Sequence, residues 1–332
     1  SQAFTAYNTR IVAPPHGSML PMSPVRKNIL MVACALGLLI PVVIIFICEN
    51  MNTRVRGRKD LESVTVPFIG EIPLFTRKKK GIFRKKPQEV RAIVVKEGSR
   101  DIINEAFRVL RTNLEFMTGK DKASNVIIVT SFNPGSGKSF LTMNIAVSFA
   151  IKGKKVLVID GDLRHGSASS YIDSPTKGLS DYLGGRIDNL NEIIVTNPKQ
   201  KYLDILPVGT IPPNPTELLF DDRLKQVIDT VREQYEYVLI DCPPIELVAD
   251  TQIIEKLADR TIFVVRAGLL ELSMLAELEK IYGEKKYKNM SLILNGTEGS
   301  GGRYGYRYGY RYGYHYGYGS EYHYGSDEKY IE

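Results

Sequence analysis

Short apolar runs alternate with longer amphipathic stretches between residues 97 and 299. Apolar runs bounded by polar residues are typical of strands that are buried on both faces of a sheet. The runs that predict strands are residues 125–130, 155–159, 202–206, 237–240, 261–265 and 291–294. A parallel sheet of such strands binds its ligand at the carboxyl ends of the strands.

Helical spacing of apolar residues accounts for most of the intervening sequence. The predicted helices are residues 101–117, before the first strand, and then 139–152, 216–234, 250–257 and 270–282. Strands that alternate with helices favour a parallel sheet that is covered by helices on both faces. We therefore expect an α/β fold with a mostly parallel sheet.

A different pattern precedes this alternation. Residues 29–48 read ILMVACALGLLIPVVIIFIC, a stretch of 20 residues without a charge. A helix of about 20 apolar residues crosses the hydrocarbon core of a bilayer. The alternative, a buried helix of a soluble core, rarely lacks a polar face altogether. We predict a transmembrane helix over residues 29–49, in which Pro41 is tolerated.

The net charge of +7 is concentrated next to this helix. Residues 51–96 carry 13 Lys and Arg against 4 Asp and Glu, a balance of +9, so the rest of the chain is close to −2. Positive residues favour the cytoplasmic side of a membrane. Residues 50–96 are therefore expected to be a cytoplasmic, basic juxtamembrane linker, and residues 1–28 an extracytoplasmic segment. The basic residues either bind anionic lipid headgroups or form a solvated linker.

Three cysteines, Cys34, Cys48 and Cys242, give no disulfide framework. Their number suits a reducing compartment for the main domain. The chain begins at Ser1 without a methionine, and we expect it to be a piece of a longer protein.

The first predicted strand leads directly into SFNPGSGKS, residues 131–139, and then into a helix. In a phosphate-binding loop, Gly135 and Gly137 let backbone N–H groups approach the phosphates, Lys138 neutralises the β- and γ-phosphates, and the Ser139 hydroxyl ligates Mg²⁺. The common motif has glycine where this chain has Phe132. A bare glycine turn is the alternative, but it does not require Gly-Lys-Ser between a strand and a helix. The other predicted nucleotide contacts are Pro134, Ser136, Phe140 and Arg164.

Two other predicted strands end in aspartates. VLVIDGDLR places Asp160 and Asp162 after the second strand, and YVLIDCPPI places Asp241 after a later one. Carboxyl ends of parallel strands meet at one edge of a sheet, so these carboxylates are expected beside the loop. A helix N-cap is the usual role of a single aspartate at this place. In phosphoryl transfer, such carboxylates hold Mg²⁺ and orient the attacking hydroxyl. Asn295, after the last strand, is either an adenine contact or a turn residue.

The chain ends in a tyrosine-rich segment, RYGYRYGYRYGYHYGYGSEYHYGSDEKY, residues 303–330. The repeat has no aliphatic side chains to form a core, so disorder is expected over residues 300–332. A flexible tail holds its hydroxyls near an active site at high effective concentration. The predicted phosphoacceptors are Tyr304, Tyr306, Tyr308, Tyr310, Tyr312, Tyr314, Tyr316, Tyr318, Tyr322, Tyr324 and Tyr330. Stacking on single-stranded nucleic acid is the alternative, but the membrane helix disfavours it.

PGSGKS (134–139), DGDLR (160–164) and IDCPP (240–244) resemble, in this order, the three motifs of the bacterial tyrosine kinases of polysaccharide co-polymerases, which act in capsule and exopolysaccharide export. GTIPPNPTELL (209–219) is similar to the family's stretch between the second and third motifs, and a tyrosine cluster closes the chain as it does there. Related partition and division-site ATPases place an extra lysine at the position of Asn133, which disfavours that branch. The resemblance covers the chain from the membrane helix to the C-terminus.

The resemblance implies a P-loop NTPase-like domain over residues 97–299 and an ATP- and Mg²⁺-dependent autokinase. Its catalytic residues would be Lys138, Asp160, Asp162 and Asp241. Ser139, Asp162 and Asp241 would hold Mg²⁺, and Asp160 would contact the tyrosine hydroxyl, although it could exchange roles with Asp162. A membrane-attached ATPase switch and a co-polymerase scaffold remain alternatives.

Glu105, Arg108 and Arg111 match an ExxRxxR helix that the family uses for ring-shaped self-association. Ion pairs within the helix are the alternative, because residues at this spacing share a face. The resemblance also implies the inner membrane as the location and, as partners, a homo-oligomer, a cognate tyrosine phosphatase and the polysaccharide polymerisation and export machinery. Nucleic acid is not expected. We expect phosphorylation of the tail in trans, between copies in an oligomer. Phosphate would make the tail acidic, and we expect this to loosen the assembly.

Overall fold

The computed structural model describes residues 26–50, 53–75, 92–118, 125–245 and 249–298. The chain divides into two compact units, residues 1–53 and 54–332. The first contains helix α1 (Arg26–Asn50), with Pro41 inside it. The segment Arg26–Ile47 of this helix is long and apolar enough to cross a membrane, and its residues are exposed. The predicted extracytoplasmic segment, except for its last three residues, and the tyrosine-rich tail lie outside the described residues.

One sheet of eight strands forms the centre of the second unit. Its strands are β1 (Phe68–Pro73), β2 (Asn125–Thr130), β3 (Val156–Asp160), β4 (Val195–Thr196), β5 (Leu203–Leu206), β6 (Tyr237–Asp241), β7 (Arg260–Arg266) and β8 (Ser291–Thr297). They lie in the order β1-β8-β7-β2-β6-β3-β5-β4. Every neighbouring pair is parallel except the short edge strand β4, which runs antiparallel to β5. The mostly parallel sheet is confirmed.

Helices cover both faces of the sheet, as the alternating pattern predicts. They are α2 (Ile102–Thr118), α3 (Lys138–Ile151), α4 (Leu179–Leu183), α5 (Pro215–Leu219), α6 (Asp222–Gln234), α7 (Asp250–Glu255) and α8 (Met274–Gly283). Ile127 and Val129 of β2 belong to the core on the side of α2 and α3, whereas Val126 and Ile128 belong to the core on the side of α6, α7 and α8. Such alternation fits a strand that is buried on both faces.

The helix predicted over residues 216–234 is divided into α5 and α6. Asp221 separates them, because its side chain accepts a hydrogen bond of 2.8 Å from the backbone N–H of Arg223 and so caps a new helix. The predicted helix 270–282 begins only at Met274. Residues before it form a turn in which the N–H groups of Leu269 and Leu270 both donate to the carbonyl of Arg266.

The folded domain includes residues before 97, which the predicted boundary placed in the linker. β1 pairs in parallel with β8 at the edge of the sheet, so residues 68–73 belong to the folded domain. Further along, Asn144 of α3 accepts hydrogen bonds from the N–H groups of Val94 and Val95, at 2.7 and 3.2 Å. The sequence pattern did not reveal β1, because glycine and proline, here Gly70 and Pro73, are depleted in strands. The register between β1 and β8 also shifts near both ends of β1.

Candidate active site

Three adjacent strands carry the predicted motifs to one edge of the sheet. The phosphate-binding loop follows β2, Asp241 ends β6 and Asp160 ends β3, with β6 in the middle. Asp241 is in register with Val129 on one side and with Asp160 on the other. The backbone N–H of Gly161 donates to the Asp241 carbonyl at 2.9 Å. The predicted meeting of the motifs at the carboxyl ends of the strands is therefore confirmed.

The loop has a fixed shape. Gly135 and Gly137 have φ angles of 74° and 86°, a left-handed backbone that glycine adopts without strain. The hydroxyls of Ser131 and Ser136 both donate to the Asn133 carbonyl, at 2.8 and 2.7 Å. α3 then begins at Lys138, so its N-terminal N–H groups face the loop, as anion binding requires.

Asn295 of β8 fixes this loop from the side. Its side-chain amide donates to the Ser136 carbonyl at 2.8 Å, and the residue is buried. A Cβ at Gly137 would lie 2.3 Å from the same amide nitrogen. The sequence left open whether Asn295 is an adenine contact or a turn residue, and the structure gives it a role in supporting the loop.

Replacing Gly137 with Ala should lower nucleotide affinity about 10- to 100-fold. The substitution adds backbone strain of roughly 1–3 kcal/mol and drives the new Cβ into the Asn295 amide, which deforms the loop. The affinity for a non-hydrolysable ATP analogue can be measured by calorimetry. Gly153→Ala is the matched control, since φ there is +81° but nothing lies within 4 Å of the added Cβ. Equal affinity of the Gly137 and Gly153 variants would contradict this role of the loop.

Asp241 is a buried carboxylate in a mixed electrostatic environment. Burial raises its pKa to about 6, although the nearby Ser139 hydroxyl and Lys138 ammonium lower it. Both Asp241 carboxylate oxygens are buried without a hydrogen-bond partner of normal geometry. Lys138 is also buried. Orphaned carboxylate oxygens are costly unless a cation satisfies them, and this favours a cation site beside the phosphate-binding loop.

Asp160 is held by one oxygen only. Its Oδ2 accepts hydrogen bonds from the N–H and the hydroxyl of Ser169, both at 2.6 Å, and the Ser169 hydroxyl oxygen accepts from the N–H of Val208 at 2.9 Å. Its Oδ1 is buried without a partner. Burial and the neighbouring charge of Asp241 raise the pKa of Asp160 to about 8. A positioned carboxylate that titrates near neutral pH is suited to accept a proton.

Asp162 is less enclosed than Asp160. Its Oδ1 accepts hydrogen bonds from the backbone N–H groups of Arg164 and His165, both at 3.2 Å, and the His165 ring nitrogen Nδ1 lies 3.2 Å from each of its oxygens. The side chain is 10% exposed, whereas Asp160 is fully buried. The Asp162 carboxylate therefore caps the turn that follows it and is also accessible at the edge of the sheet.

The donor atoms at this edge fit Mg²⁺ that arrives with a nucleotide. Among the described residues, no group of three His, Cys, Asp and Glu side chains could hold a metal ion. Mg²⁺ is commonly bound through one or two carboxylates together with phosphate oxygens. The hard oxygens of Ser139, Asp162 and Asp241 suit that mode, and the orphaned oxygens of Asp241 are available for it.

Other predicted site residues have partners elsewhere in the chain. Arg164 bonds to Asp250 and Thr216.

The predicted oligomerisation residues of α2 have partners within the chain. Glu105 and Arg108 form the ion pair within α2 that was the alternative to an interface. Arg111 donates to the Ser148 carbonyl of α3 at 2.8 Å. No sequence pattern pointed to Ser169 or Asp250, and Thr216 was singled out only as part of the segment 209–219. Pro134 is exposed, and Phe140 packs edge-on against Phe107; the predicted phosphoacceptor tyrosines lie outside the described residues.

Comparison with known proteins adds an independent line of evidence. Residues 124–292 match a family model described as an AAA domain. YwqD, a tyrosine-protein kinase of Bacillus subtilis (strain 168), is 35% identical over 209 residues, which are 63% of this chain and 87% of YwqD. AmsA of Erwinia amylovora is 33% identical over 293 residues, which are 85% of this chain and 39% of AmsA, so the chain spans about two fifths of that relative. The kinase domain of the Escherichia coli tyrosine kinase ETK matches with a TM-score of 0.64 at 29% identity, over 80% of this chain and 100% of that domain.

Proposed function

The chain belongs to the family of bacterial tyrosine-protein kinases, and from that membership we propose that it transfers the γ-phosphoryl group of ATP to tyrosines of its own C-terminal tail. The observation that carries the proposal is the convergence of three motifs on the adjacent strands β2, β6 and β3. This edge provides a phosphate-binding loop, a buried lysine, orphaned carboxylate oxygens for a cation, and a second carboxylate with a raised pKa.

In the proposed reaction, a tyrosine hydroxyl oxygen attacks the γ-phosphorus and ADP leaves with the electrons of the broken P–O bond. Lys138 and the N–H groups of residues 135–139 bind the β- and γ-phosphate oxygens and stabilise the charge that develops on them. The unpartnered Oδ1 of Asp160 takes the proton of the tyrosine hydroxyl. Ser139, Asp162 and Asp241 would hold Mg²⁺, which would neutralise phosphate charge.

The setting that fits this reaction is a membrane. Helix α1 would anchor the chain in the inner, cytoplasmic membrane, with the kinase domain in the cytoplasm. Residues 51–96, with 13 basic side chains, support this orientation. By family membership, the partners would be further copies of the chain, a tyrosine phosphatase and the machinery that polymerises and exports capsular or extracellular polysaccharide, whose output the phosphorylation state of the tail would regulate.

A mixing experiment tests both the kinase activity and its direction. The enzyme is the full chain with all eleven tail tyrosines replaced by Phe, and the acceptor is the full chain with Lys138→Met. After incubation with Mg-ATP, we expect phosphotyrosine on the acceptor's tail, measured by mass spectrometry, because a tail can reach a neighbouring active site. The parent chain is incubated alone beside the mixture. If it gains phosphotyrosine but the acceptor in the mixture does not, transfer occurs within one chain. ATP turnover without phosphotyrosine would replace the kinase with an ATPase switch.

Self-association is proposed to use the exposed side of α2. Ile102, Val109 and Phe116 recur every seven residues and are 57%, 42% and 82% exposed. Glu105 and Arg108 lie beside them on the same helix. Apolar side chains seven residues apart lie on one face of a helix, and the charged pair on its flank would give the contact between copies its register.

The combined variant Glu105→Ala, Arg108→Ala and Phe116→Ser should shift the oligomer to monomer in light scattering. It should also make tail phosphorylation fall at least tenfold at low protein concentration, since transfer between copies needs contact. Phe220→Ser is the control, because Phe220 is also exposed, at 64%, but lies on another surface. Arg111 is left intact because it bonds within the subunit. An unchanged molecular mass would remove α2 from the interface.

A further inference from the structure

Asp250 is a buried acid that the proposed reaction does not use. It is the first residue of α7 and has no exposed surface. Its two oxygens accept hydrogen bonds from different side chains: Oδ1 from the Thr216 hydroxyl at 2.6 Å, and Oδ2 from Arg164 Nε at 3.1 Å. Arg164 Nη2 in turn donates to the Thr216 oxygen at 2.9 Å. The three side chains therefore form a closed ring of hydrogen bonds.

The direction of each hydrogen bond in this ring is fixed by which side chains can donate and which can accept. Arginine has only donors and an ionised carboxylate only acceptors, so the Thr216 hydroxyl receives from Arg164 and points its single proton at Asp250. A buried carboxylate is costly without a paired cation, and Arg164 is that cation. The Arg164 guanidinium is thus committed to α5 and α7, two helices that reach the edge of the sheet from different parts of the chain.

The ring holds the segment that carries Asp162. At one end of this segment, the N–H of Gly161 is bonded to the Asp241 carbonyl on β6. At the other end, the N–H of Arg164 donates to the Asp162 carboxylate while the Arg164 side chain enters the ring. Asp162 therefore stands between two anchors, one on the sheet and one on α5 and α7, which fix where its carboxylate lies.

We propose that Arg164, Thr216 and Asp250 form a positioning clamp for Asp162, and that Arg164 acts through this clamp without contacting the nucleotide. The proposal rests on the phosphoryl transfer proposed above. It also gives a role to the segment 209–219, whose contribution to the clamp is the hydroxyl of Thr216. A carboxylate displaced by about 1 Å can cost a rate factor of about 100.

Thr216→Val tests the clamp, because valine keeps the shape of threonine but removes the hydroxyl from the ring. Thr216→Ser, which keeps the hydroxyl, is the matched control. In full-length protein we expect the rate constant of tail phosphorylation to fall about 10- to 100-fold in the Thr216→Val variant and to stay within about twofold of the parent in the Thr216→Ser variant. The KM for ATP should change by no more than about twofold in either variant.

Binding of a non-hydrolysable ATP analogue confirms that each variant retains a folded site. Arg164→Lys provides the second test: a clamp residue should lower the rate constant with little change in nucleotide affinity, whereas a nucleotide ligand should mainly weaken binding. Weaker nucleotide binding in Arg164→Lys, or a Thr216→Val variant as fast as the parent, would overturn the clamp. A parent chain that forms no phosphotyrosine would instead refute the proposed kinase activity, so the two failures are distinguishable.

Discussion

Replacing Lys138 with Met should reduce the rate of tail phosphorylation about 100- to 1,000-fold. This is the usual loss when one preorganised charge-stabilising group is removed. Methionine fills a similar volume, so the buried position is not emptied. The substitution removes the cation that is proposed to bind the β- and γ-phosphates. It also removes one of the groups that lower the pKa of Asp241. That carboxyl would then be protonated to a larger extent at neutral pH and would hold a divalent cation less well.

The measurement is phosphotyrosine per chain after incubation with Mg-ATP, beside the affinity for a non-hydrolysable ATP analogue. Lys152→Met is the control, because Lys152 lies just after α3, is about half exposed and forms its ion pair with Glu115, away from the loop. It should keep nearly all of the activity. Phosphotyrosine at the parental level in the Lys138 variant would show that this loop does not hold the transferred phosphoryl group.

The central sheet could be predicted because its signals are local. Val126 to Val129 are apolar without interruption, and a strand of this kind must be covered on both faces. The same run ends at a Gly-Lys-Ser loop, so the position of the loop at a carboxyl end follows from the strand itself. Asp160 and Asp241 end their strands in the same way, and a parallel sheet brings such ends together.

The contacts that support the site could not be predicted, because their partners are distant along the chain. Asn295 and Ser136 are 159 residues apart, and Arg164 and Asp250 are 86 apart. A single asparagine after a strand, or an aspartate at the start of a helix, has common local explanations. The order of the strands shows that β8 lies two strands from β2. The hydrogen bond between Arg164 and Asp250 shows that α7 faces the segment after β3.

Arg164 shows how a correct motif can suggest an incomplete role. An arginine two residues after an aspartate at a phosphate site is expected to bind phosphate, since its planar group suits that ligand. In the structure, its side chain is bonded to a fully buried carboxylate, which the sequence does not distinguish from an ordinary surface aspartate. The Asp160, Asp162 and Asp241 carboxylates, by contrast, lie at the edge where the sequence placed them.

Asp241→Asn should abolish tail phosphorylation and, at the same time, stabilise the protein without nucleotide at neutral and higher pH. Burial raises the pKa of Asp241 from 3.8 to about 6, so the folded state binds its proton more tightly than the unfolded state. The parent therefore loses stability as pH rises from about 4 to about 6, and it does not recover the loss above that range. The asparagine variant does not titrate and escapes this penalty, which is on the order of 2–3 kcal/mol.

Thermal unfolding without nucleotide at pH 5 and pH 8 checks whether Asp241→Asn raises or lowers the stability of the protein. The melting temperature of the Asn variant should exceed that of the parent at pH 8, with a smaller difference at pH 5. Asp229→Asn, on the exposed side of α6, makes the same charge change without burial and should alter the melting temperature little. An Asn variant that is inactive but less stable at pH 8 would mean that the Asp241 carboxylate supports the fold. Inactivity with higher stability would mean that the fold tolerates a costly buried charge because phosphoryl transfer needs it.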